Sequence, residues 1–204
     1  MRIAMETKIP HLLQGFVEQL RALFQEPLDE EARWRRIAAL MPALIESPEL
    51  RASARSWPEH PEGELPRNLL FYEDPDYRFV INGLIKKAHE GTPVHDHAHT
   101  WTVSALMEGE EQVTLYRRTD DRNRADFARL EKLADHEVHP GHVDLISPYV
   151  IHEEQAGPRR TISMIVRSEK TGSFPQNMFH MLSGKVTQSP GAAQFPYDLD
   201  SQGA

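Results

Sequence analysis

The sequence predicts a mainly β protein, a sandwich or barrel that carries α-helices at its N-terminus. Apolar residues up to about position 56 recur at helical spacing. From Arg67 onward they fall in short runs with partial alternation, and turn residues separate those runs.

In the helical part, Leu12, Leu13, Phe16, Val17, Leu20, Leu23 and Phe24 form one stripe. Asp29 is a good N-cap, followed by Glu30 and Glu31 in the first turn, where the helix dipole favours anions. Ile37, Leu40 and Met41 continue the apolar face. Pro42 has no N–H and crowds the preceding turn, so a kink or an end is expected there. Ser47-Pro48 reads as an N-cap and first residue of a short third helix. These stripes call for packing, not for a partner protein. Residues 57–66, with Pro58, Pro61 and Pro66 in a polar stretch, read as the joint to the β part.

Strand candidates are 67–72, 77–87, 100–107, 111–118, 142–147 and 159–168. Ile162, Met164 and Val166 alternate with Thr161, Ser163 and Ile165, which places the two sets on opposite faces. Residues 119–135 are charged, with 126–130 expected as a short helical excursion. The segment 172–204 is rich in Gly, Ser, Gln and Pro and is expected to be irregular. Its Phe174, Phe179, Phe195 and Tyr197 suggest that it wraps over the barrel. The expected organisation is one domain: helices in 1–56, the joint at 57–66, a barrel at 67–171 and the tail.

The chain of 204 residues is long enough for a real core. Its net charge of -8, with no basic block, argues against nucleic acid and anionic membranes as partners. No apolar run reaches a membrane span, and Lys8, Pro10 and His11 interrupt any signal-peptide core. The absence of cysteine excludes disulfides, thiolate ligands and a cysteine nucleophile, and fits a cytoplasmic location. The open edges of such a barrel fit a monomer or a homodimer.

Histidine carries the chemical signal. Of the 11 histidines, His89, His95, His97, His99, His136, His139, His142 and His152 crowd the middle of the chain. His95 and His97, two apart on a strand, point to one face. A third imidazole from a distant strand, His152, can close a three-nitrogen face around a divalent ion. Neutral imidazole suits iron, zinc, copper and nickel. His139 and His142 flank Pro140-Gly141, which is turn chemistry, so solvent is their expected surrounding. His99 shares the parity of His95 and His97 and is expected beside the site or at the surface.

Gly91…His95-x-His97…Gly109 resembles the first signature of the cupin superfamily, and Gly141…Pro148…His152 the second. That resemblance implies a double-stranded β-helix, or jelly-roll, barrel. Most cupins follow the histidine pair with a glutamate ligand, but the position here is Thr102. A three-histidine site without that glutamate resembles the thiol dioxygenase branch, the cysteine dioxygenase type. Pro93-x-His95-Asp96-His97, then Trp101, and Arg67-Asn68-Leu69 ahead of Phe79-x-Ile81 point the same way.

The resemblance implies Fe(II) on His95, His97 and His152, although nickel or zinc fits the same ligands. It also implies a small thiol substrate of the cysteine or mercaptopropionate type, dioxygen as co-substrate and a sulfinate product. Arg67 would grip the substrate carboxylate, unless it pairs with Glu64 or Asp74. Trp101, Thr102 and Ser163 are candidates for the pocket, and His99, Tyr149 and Arg167 for its surroundings. The family's Ser-x-His-x-Tyr run corresponds here to Ser163-Met-Ile165-Val-Arg167, or to Thr161-Ile-Ser163-Met-Ile165 in a shifted register. Neither has the histidine or the tyrosine. Arg167 is a candidate anion-binding group in the tyrosine's place, and Tyr149 is the tyrosine nearest His152 in sequence. Two alternatives stand beside this reading: a three-histidine dioxygenase that cleaves a carbon–carbon bond of a diketone, and a non-catalytic cupin that senses a metabolite.

Overall fold

A computed structural model describes residues 8–60 and 67–202, the side chains of Arg67 and Gln202 excepted. Three helices open the chain: α1 (Gln14–Gln25), α2 (Glu30–Ile45) and α3 (Pro48–Ala54). Phe16, Val17, Leu20 and Leu23 form the buried stripe of α1. The Asp29 carboxylate accepts from the Ala32 N–H at 2.7 Å and starts α2, and Ser47 caps α3 through the Leu50 N–H. Of the kink or end expected at Pro42, the end does not occur. The helix continues to Ile45, because Met41, Leu44 and Ile45 are buried around the proline and hold the last turn against the core.

Eleven strands follow: β1 (Arg67–Glu73), β2 (Val80–Lys86), β3 (Thr102–Glu108), β4 (Glu111–Arg118), β5 (Leu130–Val138), β6 (Val143–Ile146), β7 (Ile151–Ala156), β8 (Thr161–Arg167), β9 (Gln176–Phe179), β10 (Val186–Ser189) and β11 (Gln194–Pro196). One sheet has the order β11-β1-β2-β8-β3-β6, and a second contains β5-β4-β7. The segment 91–95 bridges β7 at Gly91–Gln155 and His95–His152, and bridges β9 at His95–Met178. Between β2 and β8 the chain crosses repeatedly from one sheet to the other, with only the β4–β5 hairpin staying within a layer. This is the double-stranded β-helix, a double-sheet jelly roll.

Alternation assigns the two faces of the first sheet. Val103, Ala105, Met107, Ile162, Met164 and Val166 pack against helical residues such as Leu20, Trp34, Ile37 and Met41. Thr102, Ser104, Ile165 and Arg167, one residue out of phase, face the interior of the barrel. The sheet is therefore buried on both faces, by helices outside and by the second sheet inside.

Three expectations need correction. Residues 126–130 are not helical; β5 begins at Leu130 and runs against β4 to Val138. Its side chains are mostly exposed, so hydrophobic alternation could not reveal it. β7, Ile-His-Glu-Glu-Gln-Ala, adds a strand beyond the expected ones, although most of its residues favour helices in isolation. The tail is not irregular: β9 and β10 pair as a hairpin, and β11 lies parallel to β1. Of the joint, Trp57 and His60 are buried, with Trp57 4.7 Å from the Phe71 ring; residues 61–66 lie outside the described residues.

Candidate metal centre

His95 and His152 form a reciprocal backbone pair, each N–H donating to the other's carbonyl at 2.9 Å. Directly opposed residues put their side chains on the same face. His97 follows after Asp96, which points the other way and fastens the loop. Asp96 Oδ1 accepts from the Ala98 and Asn177 N–H groups, and Oδ2 from Asn177 Nδ2 at 2.9 Å. The Thr100 hydroxyl donates to the His97 carbonyl at 2.7 Å. The loop is therefore fixed on both sides of His97.

The three imidazoles converge, with ring centroids 4.5 to 5.0 Å apart. One nitrogen of each lies within 4.8 Å of the other two, a group that could hold a metal ion. His95 Nδ1 faces the Pro93 carbonyl at 2.8 Å and His152 Nδ1 the Val150 carbonyl at 3.1 Å. A carbonyl only accepts, so both Nδ1 atoms carry the proton and both Nε2 atoms present lone pairs. His152 Nε2 is buried and has no partner, and His97 Nδ1 is buried and unpaired. His95 and His97 Nε2 atoms are 3.1 Å apart. Ligands on one ion with bonds of about 2.1 Å stand roughly 3.0–3.4 Å from each other, so this spacing fits a shared cation. No acidic oxygen joins this group among the described residues.

Charge favours the same state. Burial, then His152, draws His95 down to about 4. Burial, then Arg167 and the other two imidazoles, holds His97 well below its usual value, and burial lowers His152. All three are neutral at pH 7, the form a metal requires.

Beside the triad lies a cavity of about 120 Å³. Leu84, Ile146, Ile165 and Met178 supply apolar wall; Thr102, Glu154, Arg167 and Gln176 are among its polar residues. Arg167 is buried, its Nε meets no acceptor, and no acid among the described residues pairs with it. Burial draws its guanidinium down to about 10, so it stays charged at neutral pH. Thr102 stands directly across from it in the β3–β8 register, with a buried hydroxyl that meets no partner, and Gln176 Nε2 is also buried and unpaired.

Below the cavity, Lys86 Nζ donates to Glu111 at 2.6 Å and to Glu154 at 2.5 Å, and the Thr161 hydroxyl donates to Glu111 at 2.5 Å. Burial alone would raise Glu154, but Lys86, then His152, holds it below the usual carboxylate range.

Of the pocket candidates, Thr102 faces the cavity. Ser163 lies on the same face of β8 as Ile165 but does not line the cavity. Trp101 packs, half-buried, against the helix-side core and not against the cavity. Of the surrounding candidates, Arg167 is inside. His99 is exposed and meets Glu169 at 3.1 Å, and Tyr149 is exposed on a turn with φ 61°. The Arg67 side chain lies outside the described residues. Asp74, its alternative partner, is taken up by Arg21 and Tyr72. Glu154 and Gln176 were missed. Glu154 was within reach, because it follows His152 by two on one strand and so shares its face. Gln176 came from a segment with no strand signal.

No family model and no curated protein matches the sequence. Among solved structures, the chain is similar to a cupin domain of Schizosaccharomyces pombe Cnp3, at 10% identity over 57% of this chain and 72% of that one, TM-score 0.43. It is similar to an oxalate oxidase in complex with the substrate analogue glycolate, at 18% identity over 54% and 53%, TM-score 0.41. The match thus spans about half the length of that enzyme. A conserved double-stranded β-helix protein of Klebsiella pneumoniae matches at 16% identity over 56% and 80%, TM-score 0.40. Likenesses this distant carry no activity to this chain.

Proposed function

We propose that the chain is a metal-dependent oxidoreductase that, loaded with Fe(II), converts a small thiol carboxylate and dioxygen to the corresponding sulfinate. Both oxygen atoms pass to sulfur. The observation that carries this reading is the buried, unpaired Arg167 in the same cavity as three neutral imidazoles.

Charge counting supports it. Lys86 and Arg167 are balanced by Glu111 and Glu154. Three neutral imidazoles leave a divalent ion with its full charge, which a substrate bearing a carboxylate and a thiolate would neutralise. When bound, the ion supplies a centre that favours thiolate over thiol and a redox partner for dioxygen. The chain supplies the rest. Arg167 takes the carboxylate through a charge-assisted pair, and the Thr102 hydroxyl and Gln176 amide add donors beside it. Glu154 stays ionised and engaged with Lys86, so it balances charge and does not take up the thiol proton. Leu84, Ile165 and Met178 keep water from the reacting sulfur. The small cavity, about 120 Å³, suits a small acid.

The apolar wall also suits a diketone, the carbon–carbon cleavage alternative. A diketone, however, offers a guanidinium only neutral carbonyl acceptors, which bind it more weakly than a carboxylate does. The test is anaerobic loading with Fe(II), followed by oxygen uptake and product identification with cysteine, mercaptopropionate, cysteamine and a diketone. Sulfinate from the carboxylate thiols, with cysteamine slower, is expected. Oxygen uptake with the diketone alone would favour the alternative, and uptake with none would leave a binding or sensing protein.

A further inference from the structure

A second group of donor atoms lies apart from the triad: His136 of β5, His142 of the turn before β6, and Asp144 of β6. His136 Nε2 is 3.4 Å from Asp144 Oδ1, and His142 Nε2 is 3.2 Å from the same oxygen. The two rings are 5.6 Å apart, and one atom from each of the three residues lies within 4.8 Å of the others. None of them lines the cavity of the triad. We propose that these three residues form a second binding site, for a divalent transition ion of the zinc class, that staples the two sheets together.

The spacing carries the ion. Tetrahedral zinc, with bonds of about 2.0–2.2 Å, sets its ligands about 3.3 Å apart, and both imidazole–carboxylate distances match. Two imidazoles and one carboxylate are a donor set for borderline ions, and partial exposure leaves further positions to water.

The fold carries the stapling. β5 is the outer strand of one sheet and β6 the outer strand of the other. His136 stands opposite Val113 of β4, and Asp144 opposite Ser104 of β3, so both reach inward from facing layers. His142 is placed by a tight turn: Gly141 has φ 96°, its N–H donates to the Leu106 carbonyl at 2.8 Å, and the Leu106 N–H donates to the His142 carbonyl at 3.1 Å. The donors are thus positioned by backbone hydrogen bonds before any ion arrives. An ion here closes the open edge of the sandwich over Leu106, Val113 and Val138.

The test uses the whole chain, stripped with a chelator and titrated with Zn(II) at pH 7.5. The native chain binds one more equivalent than the His136→Asn/His142→Asn variant, whatever the triad holds, and zinc raises its melting temperature further. Carbethoxylation mapped by mass spectrometry needs no variant: zinc protects His142, while exposed His180 serves as the reference. An equal number of equivalents in native and variant chains, or His142 modified equally with and without zinc, overturns the proposal. Loss of zinc from the triad leaves His142 protection unchanged, so the two sites fail independently.

Discussion

Arg167 is a buried charge that no acid contacts among the described residues, and Glu154 offsets it without pairing. Removing a guanidinium from water is costly unless a partner arrives, and the partner with room to arrive is an anionic ligand in the cavity. The Arg167→Met variant should raise KM for a carboxylate thiol by about 30-fold, from the ~2 kcal/mol of a charged hydrogen bond. It should leave cysteamine turnover nearly unchanged; steady-state kinetics on both substrates checks this. His152→Ala should lose iron binding and turnover together, measured by metal content and oxygen uptake. Stoichiometric iron in that variant would remove His152 from the ligand set.

The triad also makes the metal-free chain sensitive to acid. His95 titrates near 6.5 when unfolded and is drawn down to about 4 when folded. Between those values the unfolded state binds more protons, so stability falls as pH drops from about 6.5 toward 4. Urea midpoints across that window should follow this slope, and His95→Gln should flatten it.

At the scale of elements, the ion cluster of β2, β4 and β7 ties the layers beneath the site. Lys86→Met would leave Glu111 and Glu154 facing each other without their shared cation. Breaking one member of a buried pair costs about 3–5 kcal/mol, read as a lower urea midpoint. The outer face of β2 is just as tight. A Cβ on Gly83 would lie 2.7 Å from both the Phe71 and Trp57 rings. Gly83→Ala should therefore cost about 1–3 kcal/mol by overpacking, even though alanine suits a strand better than glycine. Its metal content should be unchanged, because that face is turned away from the cavity.

For the whole molecule, the tail closes the site. Gln176 and Met178 of β9, with Ser189, Gly191 and Ala192, complete the cavity wall, while β11 covers the edge of β1. A chain ended after Lys170 should melt lower, bind a hydrophobic dye at the uncovered edge and lose affinity for the small acid. Melting curves and equilibrium binding measure these effects. No helix among the described residues is long and apolar enough to cross a membrane.

What the sequence determined by itself was set by near neighbours: the caps at Asp29 and Ser47, the helical stripe of α1, the alternation of β8 that separates Ile162, Met164 and Val166 from Thr161, Ser163 and Ile165, and the shared parity of His95 and His97. Caps and periodicity act over a few residues, so one stretch of chain contains the whole cause. The rest was decided by contacts between distant segments. β5 and β7 are strands because β4 pairs with both, against their own polar composition. Pro42 stays helical because the core holds the turn that follows it. Arg167 is legible as an arginine on the barrel strand, but its lack of a hydrogen-bonded partner among the described residues depends on every surface packed around it. That absence, and with it the buried donor that a ligand can answer, exists only in the folded chain.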